Sequence, residues 1–562
     1  MKLSLRPLVR SLTLAGLCSA PLVQLSAKDF ILTIGGGYRP QSNQASLEAN
    51  VLFFEQVLQA QHRGNRTQDI FFANGNDPEP DLQVLASATA SETSRGGTGP
   101  VSELLESLYG SRGDDGAVEY RKHEIANVTG PNLPADIRAG LRRMCDQMVD
   151  GDRLLVYVTA HGGEAEGSNF YNTTISCWDG QSITASEFAK WLDDVPPQVP
   201  VILVMAQCYC GGFAHTIFRN AQRDDGLSPH LRVGFFAQQH DLPAAGCRPD
   251  IDNDEEYSSF FWGAFVQRTR SGKAMPSPDF DGDGRVSFAE AHAEAVLTSQ
   301  TIDIPLRSSE ALLRAYSRIG GGYDHRRDLD RTLPDDEQHS PAADEAPDSA
   351  ASSSDSAVDL FGSTDRTISE HGEERLDSDQ LSAMAGTLRE LIQQAQPELQ
   401  QTVIGLAQQL EIDLSDEVPV VFVKFEAQRD ATRELRRTSS RARRRGGSGR
   451  RQLRAEISHQ WPELAADKWQ TSSLLQHTDQ QKLLQQMAEL PNYERFTSGN
   501  QQRRQTQQAL EQAELREVKF QRLVNTLEAI VLARNLEQLA EADVVARYHA
   551  MIALEQTGLN DY

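Results

Sequence analysis

Five nearly uninterrupted apolar runs, at 30–34, 70–73, 154–159, 201–205 and 233–237, recur through the first half of the chain. A strand with one wet face alternates apolar and polar residues. A run that is apolar at every position must be covered on both faces, as a parallel strand inside an α/β sheet is. The segments between the runs supply that cover. Leu47, Val51, Phe54 and Leu58 are spaced four, three and four apart, which is one stripe of a helix. Thr184 and Glu187 have the spacing of a capping box and lead into Phe188, Trp191 and Leu192. The alternation specifies an α/β fold, with helices covering both faces of a mainly parallel central sheet.

Beyond this half the composition changes. Residues 328–379 are rich in Asp, Glu, Ser, Ala and Pro and poor in large apolar side chains. Such a stretch cannot bury enough surface to offset chain entropy, so an acidic disordered linker is expected there. Residues 380–562, rich in Gln, Glu, Leu and Ala, read as a mostly α-helical C-terminal region whose last long helix spans about 511–556. An arginine-dense segment at 436–454, containing Gly446, Gly447 and Gly449, is expected to interrupt it as a solvated loop.

At the N-terminus, Lys2, Arg6 and Arg10 stand at the head of a mildly apolar stretch that runs to about Leu25, and Ser26-Ala27 precedes the charged Lys28. This is the order of a Sec-type signal peptide, so residues 1–27 are expected to be removed and the protein to be secreted or periplasmic. Leu17 stands where a lipid-attachment box before Cys18 would need a small residue. The apolar part is too short to span a bilayer, and no later stretch is long and apolar enough to do so. Cleavage would leave Cys145, Cys177, Cys208, Cys210 and Cys247, an odd set that points to two bridges and one remaining thiol. The net charge of −25 argues against nucleic acid or an anionic membrane surface as the main partner.

Two segments share one design. Residues 154–160 run straight into His161-Gly162-Gly163, and residues 201–207 run straight into Cys208-Tyr209-Cys210-Gly211-Gly212. Each is a buried strand ending in a reactive side chain with glycine close behind. Parallel strands of an open sheet present their carboxyl ends along one edge, where ligands of such folds bind, so neighbouring strands can bring Cys208 and His161 together. An imidazole or a helix N-terminus near the thiol favours the thiolate, and a helix is expected to start near Gly211. The amides of Gly162 and Cys208 are then candidates to bind an oxyanion. Other readings of the same residues stand beside this one. Cys208 could be a packed hydrophobe or half of a disulfide with Cys210 or Cys247, Cys210 could be the nucleophile, and Cys208, Cys210 and His215 form a poor metal set.

The pair Ala160-His161-Gly162 and Gln207-Cys208-Tyr209-Cys210-Gly211-Gly212 resembles the caspase-like clan of cysteine peptidases, which includes caspases, metacaspases and legumain-type enzymes. The likeness covers about residues 28–305. It implies a three-layer fold with Cys208 as nucleophile and His161 as general base or thiolate partner. It also implies that the amides of Gly162 and Cys208 stabilise the oxyanion. Ser42 stands where legumain-like enzymes carry an arginine of the asparagine pocket, so that preference does not carry over.

A second site is independent of the first. Asp279, Asp281, Asp283, Gly284, Arg285, Ser287 and Glu290 occupy positions 1, 3, 5, 6, 7, 9 and 12 of an EF-hand-type loop at 279–290. Ca2+ is the expected cofactor, with Arg285 offering its carbonyl, Ser287 a direct or water-bridged oxygen and Glu290 a bidentate carboxylate. Pro276 and Pro278 would break an incoming helix, so a single grafted loop that braces the helix beginning near Phe288 is expected.

Together these features lead to a peptidase domain at 28–327 and an expectation of secreted cysteine-type endopeptidase activity on a protein or peptide substrate. The helical C-terminal region is the candidate surface for regulation or a protein partner. An inactive calcium-binding scaffold and a transpeptidase using the same acyl-enzyme are the alternatives.

Overall fold

The structure, a computed structural model, describes residues 27–85, 99–109, 118–245, 256–317, 386–466, 468–477 and 479–561. The expected signal peptide at 1–27, except Ala27, and the expected linker at 328–379 lie outside the described residues, as do Cys18 and Cys247.

All five apolar runs become strands of one sheet: β1 (Lys28–Gly36), β2 (Asn65–Phe72), β5 (Arg153–Ala160), β9 (Val201–Met205) and β10 (Arg232–Phe236). These five pair in parallel, and β11 (Leu306–Arg307) closes one edge antiparallel to β10, giving the order β11-β10-β9-β5-β1-β2. The expected mainly parallel sheet is present. Two small antiparallel groups flank it, β3 (Leu82–Leu85) with β4 (Val118–Arg121), and β6 (Gly162–Gly163) with β7 (Thr174–Ser176) and β8 (Ser182–Thr184). From β1 the chain moves to β2 on one side, and later continues from β5 through β9 to β10 on the other. The topological switch therefore lies between β1 and β5, where the carboxyl ends of an open α/β sheet leave a crevice.

Helices α1 (Ala45–Gln61), α2 (Pro100–Tyr109), α3 (Pro134–Cys145), α4 (Ala185–Leu192), α5 (Tyr257–Val266), α6 (Phe288–Thr298) and α7 (Ser308–Tyr316) complete the first half. Phe54 of α1, Tyr157 of β5 and Trp262 of α5 pack against one another, tilted or edge-on, within the main core. Thr184 caps α4 as expected, its Oγ1 accepting from the Glu187 amide at 3.1 Å.

The second half holds α8 (Leu388–Ile392), α9 (Pro397–Leu410), α10 (Val418–Gln460), α11 (Gln480–Ala488), α12 (Tyr493–Leu539) and α13 (Ala542–Glu555). Its 47-residue helix α12 is about 70 Å long at 1.5 Å per residue. Two expectations are corrected here. The arginine-dense segment is not a loop but part of the 43-residue α10. Arg436 pairs with Glu514 of α12, and Leu453 and Ile457 are buried with α2, so tertiary contacts outweigh the glycines' cost of about 1 kcal/mol each. The expected last helix breaks at Ala540, whose extended backbone turns α13 back so that Tyr548, Met551 and Ile552 join the core of the sheet.

The C-terminal tail fastens this second half to the first. Arg153 is fully buried and donates to Asp29 from Nε and Nη2, at 2.8 and 2.7 Å. Its Nη1 donates to the carbonyl of Gly558 at 3.0 Å, while His62 Nε2 meets Asp29 at 2.7 Å. Among the described residues no helix is long and apolar enough to cross a membrane.

Candidate active site

Strands β5 and β9 are adjacent, with Val158 opposite Met205 as the last rung of their ladder. His161 and Cys208 each follow three residues later, so they leave the sheet side by side at the switch-point edge. Gly162 shows how close the two chains run. A Cβ there would lie 2.0 Å from the Cys208 carbonyl oxygen and 2.8 Å from Gln207 Cγ. The glycine after the histidine is required by this approach.

His161 is oriented from the loop after β1. Its Nε2 lies 2.8 Å from the carbonyl oxygen of Ser42 and 2.9 Å from Gln44 Oε1. A backbone carbonyl can only accept, so Nε2 carries the proton and Nδ1 keeps the lone pair. Tyr38 meets the ring edge-on at 5.6 Å between centroids. Burial pulls the imidazole below its usual pKa, opposed by the nearby Cys208 and by the Ser42 carbonyl. A neutral imidazole beside a thiol is able to take its proton.

Cys208 is half-buried; its Sγ receives the Ala244 N–H at 3.2 Å and, as a thiol, faces the Ala244 carbonyl at 3.8 Å. Tyr209, immediately after it, has a φ of +59°, a left-handed conformation that bulky residues rarely adopt. Two bonds hold it there: its amide donates to the Leu242 carbonyl at 3.0 Å and its hydroxyl to Glu164 at 2.8 Å. The kink turns the chain sharply off β9 at the sulfur, and backbone strain of this kind concentrates at functional sites. The helix expected to start near Gly211 is present as a 3-10 helix, Cys210–Ile217.

The remaining cysteines are accounted for differently. Cys210 is a free thiol with 0% exposure, exchanging hydrogen bonds with the backbone of Gln238. Burial drives its pKa far above the usual thiol range, which disfavours it as a nucleophile, and its sulfur is not bonded to Cys208. Cys145 and Cys177 are also free, so none of the expected bridges joins two of the described cysteines; burial raises these two thiols to about 11 and about 12.

In the EF-hand-type loop, carboxylate oxygens of Asp279, Asp281 and Asp283 lie within 4.8 Å of one another. Asp279 Oδ1 is buried and has no hydrogen-bond partner. Converging carboxylates with an orphaned oxygen suit a hard divalent cation. Glu290 stands apart from this trio. Its Oε1 accepts the Phe280 amide at 2.7 Å and its Oε2 the Ser287 amide at 2.9 Å, bracing the loop and capping α6. The Arg285 side chain turns to Asp283 and to Asp561 of the tail. Ser287 Oγ accepts the Glu290 amide at 3.2 Å.

Sequence reasoning missed the hydrogen-bond partners of the pair. Ser42 and Ala244 act through backbone atoms that any residue would supply, whereas Gln44 contributes a recognisable side chain. No protein-family profile and no curated protein matches the chain. Among solved structures, protein GSU0716 from Geobacter sulfurreducens aligns over 50% of this chain and 92% of its own. The identity is 8% and the TM-score 0.27, a likeness too slight to carry an argument.

Proposed function

We propose that the protein is a secreted cysteine-type endopeptidase with a caspase-like fold, in which Cys208 is the nucleophile and His161 its base. The observation that supports this best is the tethering of His161 Nε2 to the Ser42 carbonyl at 2.8 Å, at the strand end beside Cys208. That bond sets the tautomer a general base needs. In the proposed reaction Nδ1 takes the thiol proton and the sulfur attacks a peptide carbonyl. The oxyanion is met by the amides of Gly162 and Cys208. Imidazolium then returns the proton to the leaving amine, and water releases the acyl group. Secretion rests on the N-terminal sequence.

We further propose that Asp279, Asp281 and Asp283 bind Ca2+. Their convergence and the orphaned Asp279 oxygen support this, and Glu290 would hold the loop in shape. Calcium would brace α6 and would take no part in the chemistry.

Incubating the protein with a peptide library and identifying products by mass tests the reaction. Hydrolysed fragments absent from Cys208→Ala and His161→Ala are expected. Fragments joined to an added amine would identify a transpeptidase, and no turnover from folded, reduced, calcium-loaded protein would leave a binding scaffold.

A further inference from the structure

The groups around Cys208 form a continuous path to the C-terminal helices. Ala244 donates to the sulfur, and the next residue, Ala245, donates its N–H to Asp303 Oδ1 at 2.8 Å. At the other end of this loop, Gln238 makes four side-chain hydrogen bonds. Its Oε1 accepts the amides of Gln239 and Ile304, at 2.9 and 3.2 Å, and its Nε2 donates to the carbonyls of Pro243 and Ile302, at 3.1 and 3.4 Å. The loop that carries Ala244 is thus stitched to residues 302–304.

Those residues are held in turn by Arg522 of α12. Its Nε donates to the Asp303 carbonyl at 2.8 Å, its Nη1 to the carbonyls of Val296 and Ser299 at 2.9 Å, and its Nη2 to Thr301 O and Oγ1 at 3.1 and 3.4 Å. A guanidinium has five N–H donors, and here all are matched by acceptors from the end of α6 and the irregular segment after it. The side chain is buried at 2% exposure, and a buried charge placed this way serves to fix backbone shape.

We infer that Arg522 is a positioning residue for Cys208, through which the C-terminal helical region sets the reactivity of the nucleophile. The inference rests on the proposed catalytic role of Cys208. The sulfur's negative charge is favoured by the Ala244 N–H only while the loop keeps its shape, and Arg522 maintains that shape from the far half of the chain. Among the described residues, His161 from the end of β5 and Cys210 from the 3-10 helix are titratable groups coupled to the sulfur, and buried Asp303 acts on Cys210 from the stitched segment.

The test is the pH dependence of alkylation of the reduced full-length protein by iodoacetamide, mapped by mass to Cys208, with Cys145 as internal reference. The wild-type Cys208 midpoint is expected below the free-thiol value of about 8.5. Arg522→Met and Arg522→Lys are expected to raise it by about one unit, roughly tenfold in rate at a fixed lower pH, with Cys145 unchanged. Lysine keeps the charge but cannot reach every carbonyl, so it decides the matter if the methionine variant fails to fold. Asp303→Ala, which cuts the path one step nearer the sulfur, does so if both fail. Folded variants with the wild-type midpoint would overturn the positioning role alone. A wild-type midpoint in the free-thiol range would instead sink the catalytic reading of Cys208.

Discussion

His161 and Cys208 stand three residues past the same rung of the sheet, Val158 opposite Met205, at the ends of adjacent parallel strands. Residues 47 apart in sequence therefore become neighbours without any long loop having to fold correctly. Their relative position is set by the ladder of two adjacent strands, and a proton-transfer pair depends on such placement.

Gly162→Ala tests how closely the two strand ends run. A Cβ 2.0 Å from the Cys208 carbonyl must push backbone against backbone, and neither strand end can yield cheaply. The expected cost is about 1–3 kcal/mol of stability, read as a lowered melting temperature, together with loss of Cys208 labelling. Wild-type labelling in the alanine variant would show that the strand ends have room to move.

Gln44→Glu probes the electrostatics of the base. A carboxylate 2.9 Å from Nε2 would favour imidazolium, whereas burial favours the neutral ring. The group needed as base would then be lost at higher pH, so the acid limb of the activity profile should move up by about one unit. Gln44→Ala removes one restraint without adding charge and should lower the rate while leaving that limb near its wild-type position.

Calcium should raise the melting temperature, by the equivalent of about 2.7 kcal/mol at a hundredfold excess over the dissociation constant. EDTA should reverse the gain, and Asp281→Asn should weaken it by removing one of three converging carboxylates. Melting that ignores calcium, EDTA and the substitution would leave the loop as an acidic turn.

Glu294 of α6 is buried, and desolvation pushes its carboxyl up from 4.5 to about 7. A carboxyl raised in the folded state contributes stability below its unfolded pKa, and that contribution is lost as pH rises through about 7. Glu294→Gln cannot ionise. It should therefore be more stable than wild type at pH 8, by up to roughly 3 kcal/mol, with little difference near pH 5. Denaturant melts at the two pH values check this, and equal differences at both would refute the assignment.

The strands and the juxtaposition of His161 with Cys208 were legible because buried parallel strands leave an unmistakable apolar run, and each of these residues directly follows such a run. What surrounds the pair was not legible. Ser42 and Ala244 contribute main-chain atoms, and Arg522 reaches the site through the carbonyls of another segment. The arginine-dense stretch misled for a related reason. Local composition favoured a loop, but pairing of Arg436 with Glu514 and burial of Leu453 and Ile457 keep it helical. The short 3-10 helix after Cys208 is likewise set by the left-handed Tyr209, a conformation that sequence pattern does not announce.

The most direct test of the nucleophile is the intact mass of the mature, reduced protein after exposure to a set of peptidyl acyloxymethyl ketones, with Cys208→Ala in parallel. A single adduct that maps to Cys208, depends on the peptide and disappears in His161→Ala is the expected result. No adduct with any peptide, from folded and calcium-loaded protein, would contradict the catalytic pair.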